Sequence, residues 1–79
     1  MTKITAIIPT LNEENYITDA IKSVNFADEI IVIDSFSSDN TIGIAEKMNV
    51  KIIKRKFDDF SSQKNFAIAQ AKHDWIYIL

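Results

Sequence analysis

Glu29-Ile30-Ile31-Val32-Ile33-Asp34 restricts the fold more than any other stretch: an apolar, mostly β-branched run that stops on a carboxylate. With no polar alternation, it predicts a strand buried on both faces, as in parallel sheets. A strand of that kind ending in Asp carries the side chain to the carboxyl edge of the sheet, where open α/β folds bind ligands. Ser35-Phe36-Ser37-Ser38-Asp39-Asn40-Thr41 then adds hydroxyls and a second carboxylate. Ser38, Asp39 and Asn40 are each good N-cap residues for a helix to follow. A helix start at such an edge also favours anions, phosphates among them. The stretch therefore points to a small-molecule site.

The flanking segments repeat the alternation. Ile4 to Ile8 reads as a first strand closed by Pro9, which cannot donate to a sheet ladder. Thr10 to Glu14 is a polar loop. From about Glu14 a helix begins, with Ile17, Ala20, Ile21 and Val24 on one face. A second helix is expected over Asp39 to Met48, with Gly43 inside it as a mark of close packing. Val50 to Lys54 shows the partial alternation of an edge strand. Arg55 to Ser61 is a loop, Ser62 to Ala71 a third helix with Ala67, Ile68 and Ala71 inward, and Trp75 to Leu79 a last strand. The βαβαβαβ pattern with short connections predicts an α/β fold: one parallel sheet with right-handed crossovers and helices on both faces.

Composition removes several classes. At 79 residues the chain is at most one small domain, able to bury only about 60% of its unfolded surface. Nine basic against eleven acidic residues, without charge blocks, argue against nucleic acid or an anionic membrane as the main partner. No cysteine means no disulfide and no thiolate metal site. No run approaches the roughly 20 apolar residues of a membrane helix, and the start lacks a signal peptide's apolar core. A cytoplasmic protein is the expectation. The chain finishes inside an expected strand, on Ile78-Leu79, which suggests a domain cut short.

The chemistry-bearing residues each carry two readings. Asp34 either contacts a ligand or caps the turn after its strand. Asp39, Ser37, Ser38 and Thr41 suit helix-start chemistry. Lys64, placed in the first turn of the third helix, is either solvated or set there for an anionic ligand, since a helix N-terminus disfavours cations. Phe57 and Phe60 read as cover for the sheet edge, Trp75 and Tyr77 as packing residues, and His73 as a turn residue without a role. A dinucleotide site or P-loop would need a Gly-rich turn where Pro9-Thr10-Leu11-Asn12 stands. A phospho-receiver would want acids directly after the first strand, and Glu13 and Glu14 come too late.

Four segments in register resemble the start of a family 2 glycosyltransferase of the GT-A fold. They are Ala6-Ile7-Ile8-Pro9-Thr10-Leu11-Asn12-Glu13-Glu14, Ile31-Val32-Ile33-Asp34-Ser35-Phe36-Ser37-Ser38-Asp39-Asn40-Thr41, Gln63-Lys64-Asn65-Phe66-Ala67 and Asp74-Trp75-Ile76-Tyr77-Ile78-Leu79. Phe26-Ala27-Asp28-Glu29-Ile30 with Asp34-Ser35-Phe36-Ser37 is similar to the branch that includes lipopolysaccharide core glucosyltransferases. The resemblance implies a nucleotide-sugar site in which Pro9, Thr10, Leu11 and Glu13 line the nucleotide pocket. Asp34 and Ser35 stand where the family has an acidic pair on the base, commonly uracil, and Lys64 stands where a basic residue faces the nucleotide. Ser35 departs from the pattern, which opens the question of what reads the base.

The resemblance also implies a divalent metal, Mg or Mn, held in the full-length enzyme by an Asp-x-Asp motif that would follow Leu79. The catalytic base and acceptor region are expected further on, so residues 1–79 would be the N-terminal, nucleotide-sugar-binding part of an inverting transferase, inactive alone. No catalytic residue and no metal ligand is assigned within the chain. The expected partner is a nucleotide-diphosphate sugar, UDP-linked, with self-association through the terminal strand as a further expectation. Peripheral attachment of the whole enzyme to the inner membrane fits the same branch. The rival from another class is a non-catalytic α/β binding or assembly module. A nucleotidyltransferase-like domain is weaker, for it would want a Gly-rich, basic loop after the first strand.

Overall fold

The computed structural model describes residues 2–79. In chain order it contains β1 (Ile4–Thr10), α1 (Ile17–Ser23), β2 (Glu29–Asp34), α2 (Thr41–Glu46), β3 (Lys51–Lys54), α3 (Phe60–Gln70) and β4 (Trp75–Ile78). The four strands form one parallel sheet in the order β3-β2-β1-β4. The chain winds outward from β1 through β2 to β3, and α3 then carries it back to lay β4 on the other side of β1. That reversal makes a topological switch point between β1 and β4.

The apolar run of β2 is buried on both faces because helices cover both. Ala6, Ile8 and Val32 meet Ile17, Ile21 and Val24 of the α1 segment and Ala45 of α2. On the opposite face Ile7, Ile31 and Ile33 meet Ala67 of α3. Strand parity thus sorts even-numbered residues of β1 and β2 toward α1 and α2, and odd-numbered ones toward α3. The α/β architecture is as the sequence predicts.

Several local expectations need correction. Pro9 does not close β1, which runs to Thr10, with Pro9 in register with Ile33. In β1, Ile7 C=O accepts from Leu79 N–H on the β4 side, and Thr10 C=O accepts from Ser35 N–H on the β2 side. Pro9, of the same parity as Ile7, turns its missing donor toward β4, so the ladder to β2 is unbroken. Helix α1 begins at Ile17, after a turn closed by Glu13 C=O accepting from Tyr16 and Ile17 N–H.

Helix α3 begins at Phe60, because Asp59 caps it by accepting from Ser62 N–H at 2.7 Å. The earlier start puts Lys64 in the second turn rather than the first. The buried stripe of α3 is Gln63 and Ala67, while Ile68, expected inward, is exposed. Trp75 and Tyr77 are exposed too, at 65% and 44%, since β4 lies at the sheet edge; Tyr77 packs edge-to-face on Phe26 at 5.4 Å between centroids. Gly43 is closely packed, but against its own helix start: a Cβ there would collide with the Asn40 side chain.

Candidate functional site

Parity decides which residues reach the carboxyl edge, and on which side. Asp34 and Thr10 are register partners at the ends of β2 and β1, both on the even face. Asp34 is fully buried. Its Oδ1 accepts from Thr10 Oγ1 at 2.6 Å and from Ser37 Oγ at 2.6 Å, and its Oδ2 accepts from Ser37 N–H at 2.7 Å. The carboxylate therefore ties the end of β1 to the loop after β2.

A second lacing joins the same two loops. Asn12 Oδ1 accepts from Ser38 N–H at 2.8 Å and Asp39 N–H at 3.3 Å, while Asn12 N–H donates to Ser37 Oγ at 2.8 Å. Glu13 N–H donates to Thr41 Oγ1 at 2.8 Å and Glu14 N–H to Asp39 Oδ2 at 3.1 Å. Asp39 also accepts from the Thr41 N–H and hydroxyl. Burial works against the Asp39 charge, but these donors together outweigh it and hold its pKa below the usual carboxylate value. Asn40 occupies the N-cap of α2 without a side-chain cap bond, so Asp39 carries the helix-start chemistry. The price of this close loop pairing is backbone strain: Asn12 and Phe36 sit at φ of 54° and 60°, a left-handed region that Asn tolerates and Phe does not.

On the odd face, at the switch point, a cleft of about 520 Å³ opens between the ends of β1 and β4 and the start of α3. Pro9, Thr10 and Leu11 form its floor with Ile7 and Ile33; Ser35 and Gln63 form one wall, and Ile78 and Leu79 the opposite one. Phe57 and Phe60, packed edge-to-face at 5.1 Å, form its rim with Lys64. The two phenylalanines thus line the cleft rather than merely cover the sheet edge. Beside the rim, a bidentate Arg55–Asp58 pair at 2.9 and 3.1 Å braces the loop, with the Arg55 guanidinium over the Phe66 ring at 5.0 Å. The guanidinium holds the Asp58 carboxyl down to about 2.

Five of the seven predicted site residues line this cleft: Pro9, Thr10, Leu11, Ser35 and Lys64. Asp34 and Glu13 do not. Asp34 points to the even face, behind the cleft, and Glu13 contributes its backbone to the loop lacing. The sequence reading missed Gln63, which is 5% exposed, donates through Nε2 to Ser35 Oγ at 3.0 Å, and leaves its Oε1 without any partner. The available signal was spacing: Gln63 lies four residues before Ala67, on the inward stripe of α3, where a polar side chain is out of place.

No three His, Cys, Asp or Glu side chains cluster into a metal site among the described residues. The cleft lining contains no carboxylate, and Asp34 has both oxygens engaged. The donor set of this cleft does not fit a divalent ion.

A parallel sheet with a ligand-sized cleft at its switch point and a cation on the rim is the open α/β arrangement that takes ligands at the carboxyl edge of its strands. Residues 5–79 match glycosyl transferase family 2, and the chain belongs to that family. It is 43% identical over 75 residues to an uncharacterised glycosyltransferase of Rickettsia conorii, covering 94% of this chain and 27% of that protein. An uncharacterised glycosyltransferase of Rickettsia bellii is 47% identical over 75 residues, covering 94% of this chain and 26% of that protein. Among solved structures, glucosyl-3-phosphoglycerate synthase of Mycobacterium tuberculosis, in complex with Mn2+, UDP-glucose and phosphoglyceric acid, matches with a TM-score of 0.80 at 25% identity over 95% of this chain and 31% of its own. The chain spans about a quarter of the length of the curated relatives it matches.

Proposed function

We propose that residues 1–79 form the N-terminal, donor-binding part of a glycosyltransferase domain, and that the switch-point cleft holds a nucleotide-diphosphate sugar, UDP-linked. The observation that carries this reading is the cleft itself, apolar on its floor and edged by Ser35, Gln63 and one cation, Lys64. An apolar floor with a few polar groups suits a base, and a lysine at the mouth suits a diphosphate. Pro9, Thr10, Leu11, Ser35 and Lys64 contact the donor. Asp34 and Glu13 act one layer back, fixing the two loops that shape the site. In the full-length protein the reaction is transfer of the sugar, with inversion, to a glycan or lipopolysaccharide-type acceptor of the cell envelope. That acceptor follows from the likeness of Phe26–Ile30 and Asp34–Ser37 to the lipopolysaccharide core branch.

The catalytic base, the acceptor region and the divalent metal belong to residues other than those of this cleft, so the 79-residue chain binds without turning over. The Mn2+ in the mycobacterial structure supports a metal for the whole enzyme. No helix among the described residues is long and apolar enough to cross a membrane. We place the enzyme in the cytoplasm, peripheral to the inner membrane. The free edge of β4, with Trp75 and Tyr77 exposed, is the surface through which the isolated chain self-associates. Calorimetric titration with UDP and UDP-glucose, with and without manganese, tests the reading. Weak binding that manganese does not strengthen is expected. Absence of binding at millimolar nucleotide overturns it and favours the assembly-module alternative.

A further inference from the structure

We infer that Gln63 and Ser35 together read the edge of the bound base, selecting a ring that presents an N–H beside a carbonyl, as uracil does. The inference rests on the donor-site reading above and adds the basis of its selectivity. Gln63 is held in the cleft wall by one bond, Nε2 to Ser35 Oγ at 3.0 Å, and its Oε1 is sealed from water with no partner. A buried carbonyl oxygen without a donor is unfavourable, and few such groups persist without a reason. The reason supplied by the cleft is a ligand donor.

The local chemistry fixes which kind. Ser35 Oγ accepts from Gln63 and keeps its own proton to give. With the Gln63 amide turned toward the cleft, the wall offers one acceptor, Gln63 Oε1, next to one donor, Ser35 Oγ–H. A uracil edge is the complement: its ring N–H gives to Gln63, and the neighbouring carbonyl accepts from Ser35. Cytosine presents an unprotonated ring nitrogen at the same place, which would face the Gln63 oxygen, acceptor to acceptor. Oε1 is buried in the wall; a turn about the broad terminal amide torsion of Gln brings it to the ligand and exchanges the Nε2–Ser35 bond for the two bonds to the base. Neither side chain depends on a charge, and so this recognition differs in kind from a carboxylate held on the ring N–H.

The test is competitive calorimetry of the chain with UDP, CDP and inorganic pyrophosphate, on the parent, Gln63→Leu and Ser35→Ala. The parent is expected to bind UDP about tenfold more tightly than CDP, the discrimination worth one satisfied hydrogen bond in a buried site. In Gln63→Leu the UDP-to-CDP ratio falls to about one while pyrophosphate binding is unchanged, and Ser35→Ala lowers the ratio by a smaller factor. Thermal unfolding of both variants confirms that they are folded. A ratio that survives Gln63→Leu, or a parent that binds UDP and CDP alike, overturns the inference and leaves the donor-site reading intact. A parent that binds none of the three ligands overturns both.

Discussion

Replacing Asp34 by Ala separates its two roles, ligand contact and loop clamp, because they predict opposite outcomes. The side chain accepts three hydrogen bonds, two from the hydroxyls of Thr10 and Ser37 and one from Ser37 N–H. At about 1.5 kcal/mol for each bond to a carboxylate, their loss sums to about 4–5 kcal/mol. The two hydroxyls can turn to other acceptors while the amide cannot, so we expect a net loss of about 3–4 kcal/mol. A domain of this length has roughly 4–12 kcal/mol in all, so the variant is left near the edge of folding. With about 4–8 °C per kcal/mol for a small domain, Tm should drop by at least about 12 °C. Circular dichroism during heating measures it, and Thr10→Val and Ser37→Ala, alone and combined with Asp34→Ala, should show strongly sub-additive losses. A variant within about 0.5 kcal/mol of the parent that nevertheless fails to bind UDP would refute the clamp and return Asp34 to the ligand.

Three other perturbations follow from the same geometry. Asn12→Ala loses the acceptor that gathers Ser38 and Asp39 and keeps a left-handed backbone Ala disfavours; it should cost about 2–3 kcal/mol in urea unfolding, and Asn12→Gly less. Lys64→Ala, on an exposed rim position, should leave Tm within a few degrees but weaken UDP binding by about three- to tenfold at low salt, the difference shrinking at about 0.5 M salt. Acid should loosen the fold through carboxylates whose folded pKa is depressed. Burial opposes the Glu29 charge, but the Lys72 N–H, the Thr5 hydroxyl and the charges of Lys51 and Lys72 outweigh it and bring its pKa below 4.5. Asp39 is lowered as well, and Asp58 lies at about 2. Stability from such groups is present above their unfolded values and lost as pH falls through the folded ones. Tm should therefore hold from about pH 7 to about pH 5 and decline from about pH 4.5 toward about pH 2; a decline beginning above about pH 6 would point to other groups.

The fold was legible because its strongest signals are the ones sequence carries best. Ile31 to Ile33, buried on both faces, could only sit inside a sheet with helices above and below, and the alternation of elements did the rest. Element ends were less legible, since they depend on caps: Asp59 caps α3, which begins at Phe60 rather than Ser62, and the earlier start puts Lys64 in the second turn. Trp75 and Tyr77 look like core by hydrophobicity, yet the strand order leaves β4 at an edge, which composition cannot reveal. At the site, the Pro9–Leu11 loop, Ser35 and Lys64 were legible as motif positions. Asp34 was legible as important but not in orientation, because one step of strand parity decides whether a side chain meets the cleft or its backing. Gln63 was hidden in a polar segment until α3 turned it inward.

The claim that a nucleotide-diphosphate sugar occupies the switch-point cleft is tested most directly by mapping amide shifts of the 15N-labelled chain during titration with UDP-glucose. The account predicts shifts that saturate together at Thr10, Leu11, Ser35, Gln63 and Lys64, with little change at the amino edge of the sheet around Asp28, Lys51 and Lys72. Shifts confined to that amino edge, or none at millimolar ligand, would contradict it.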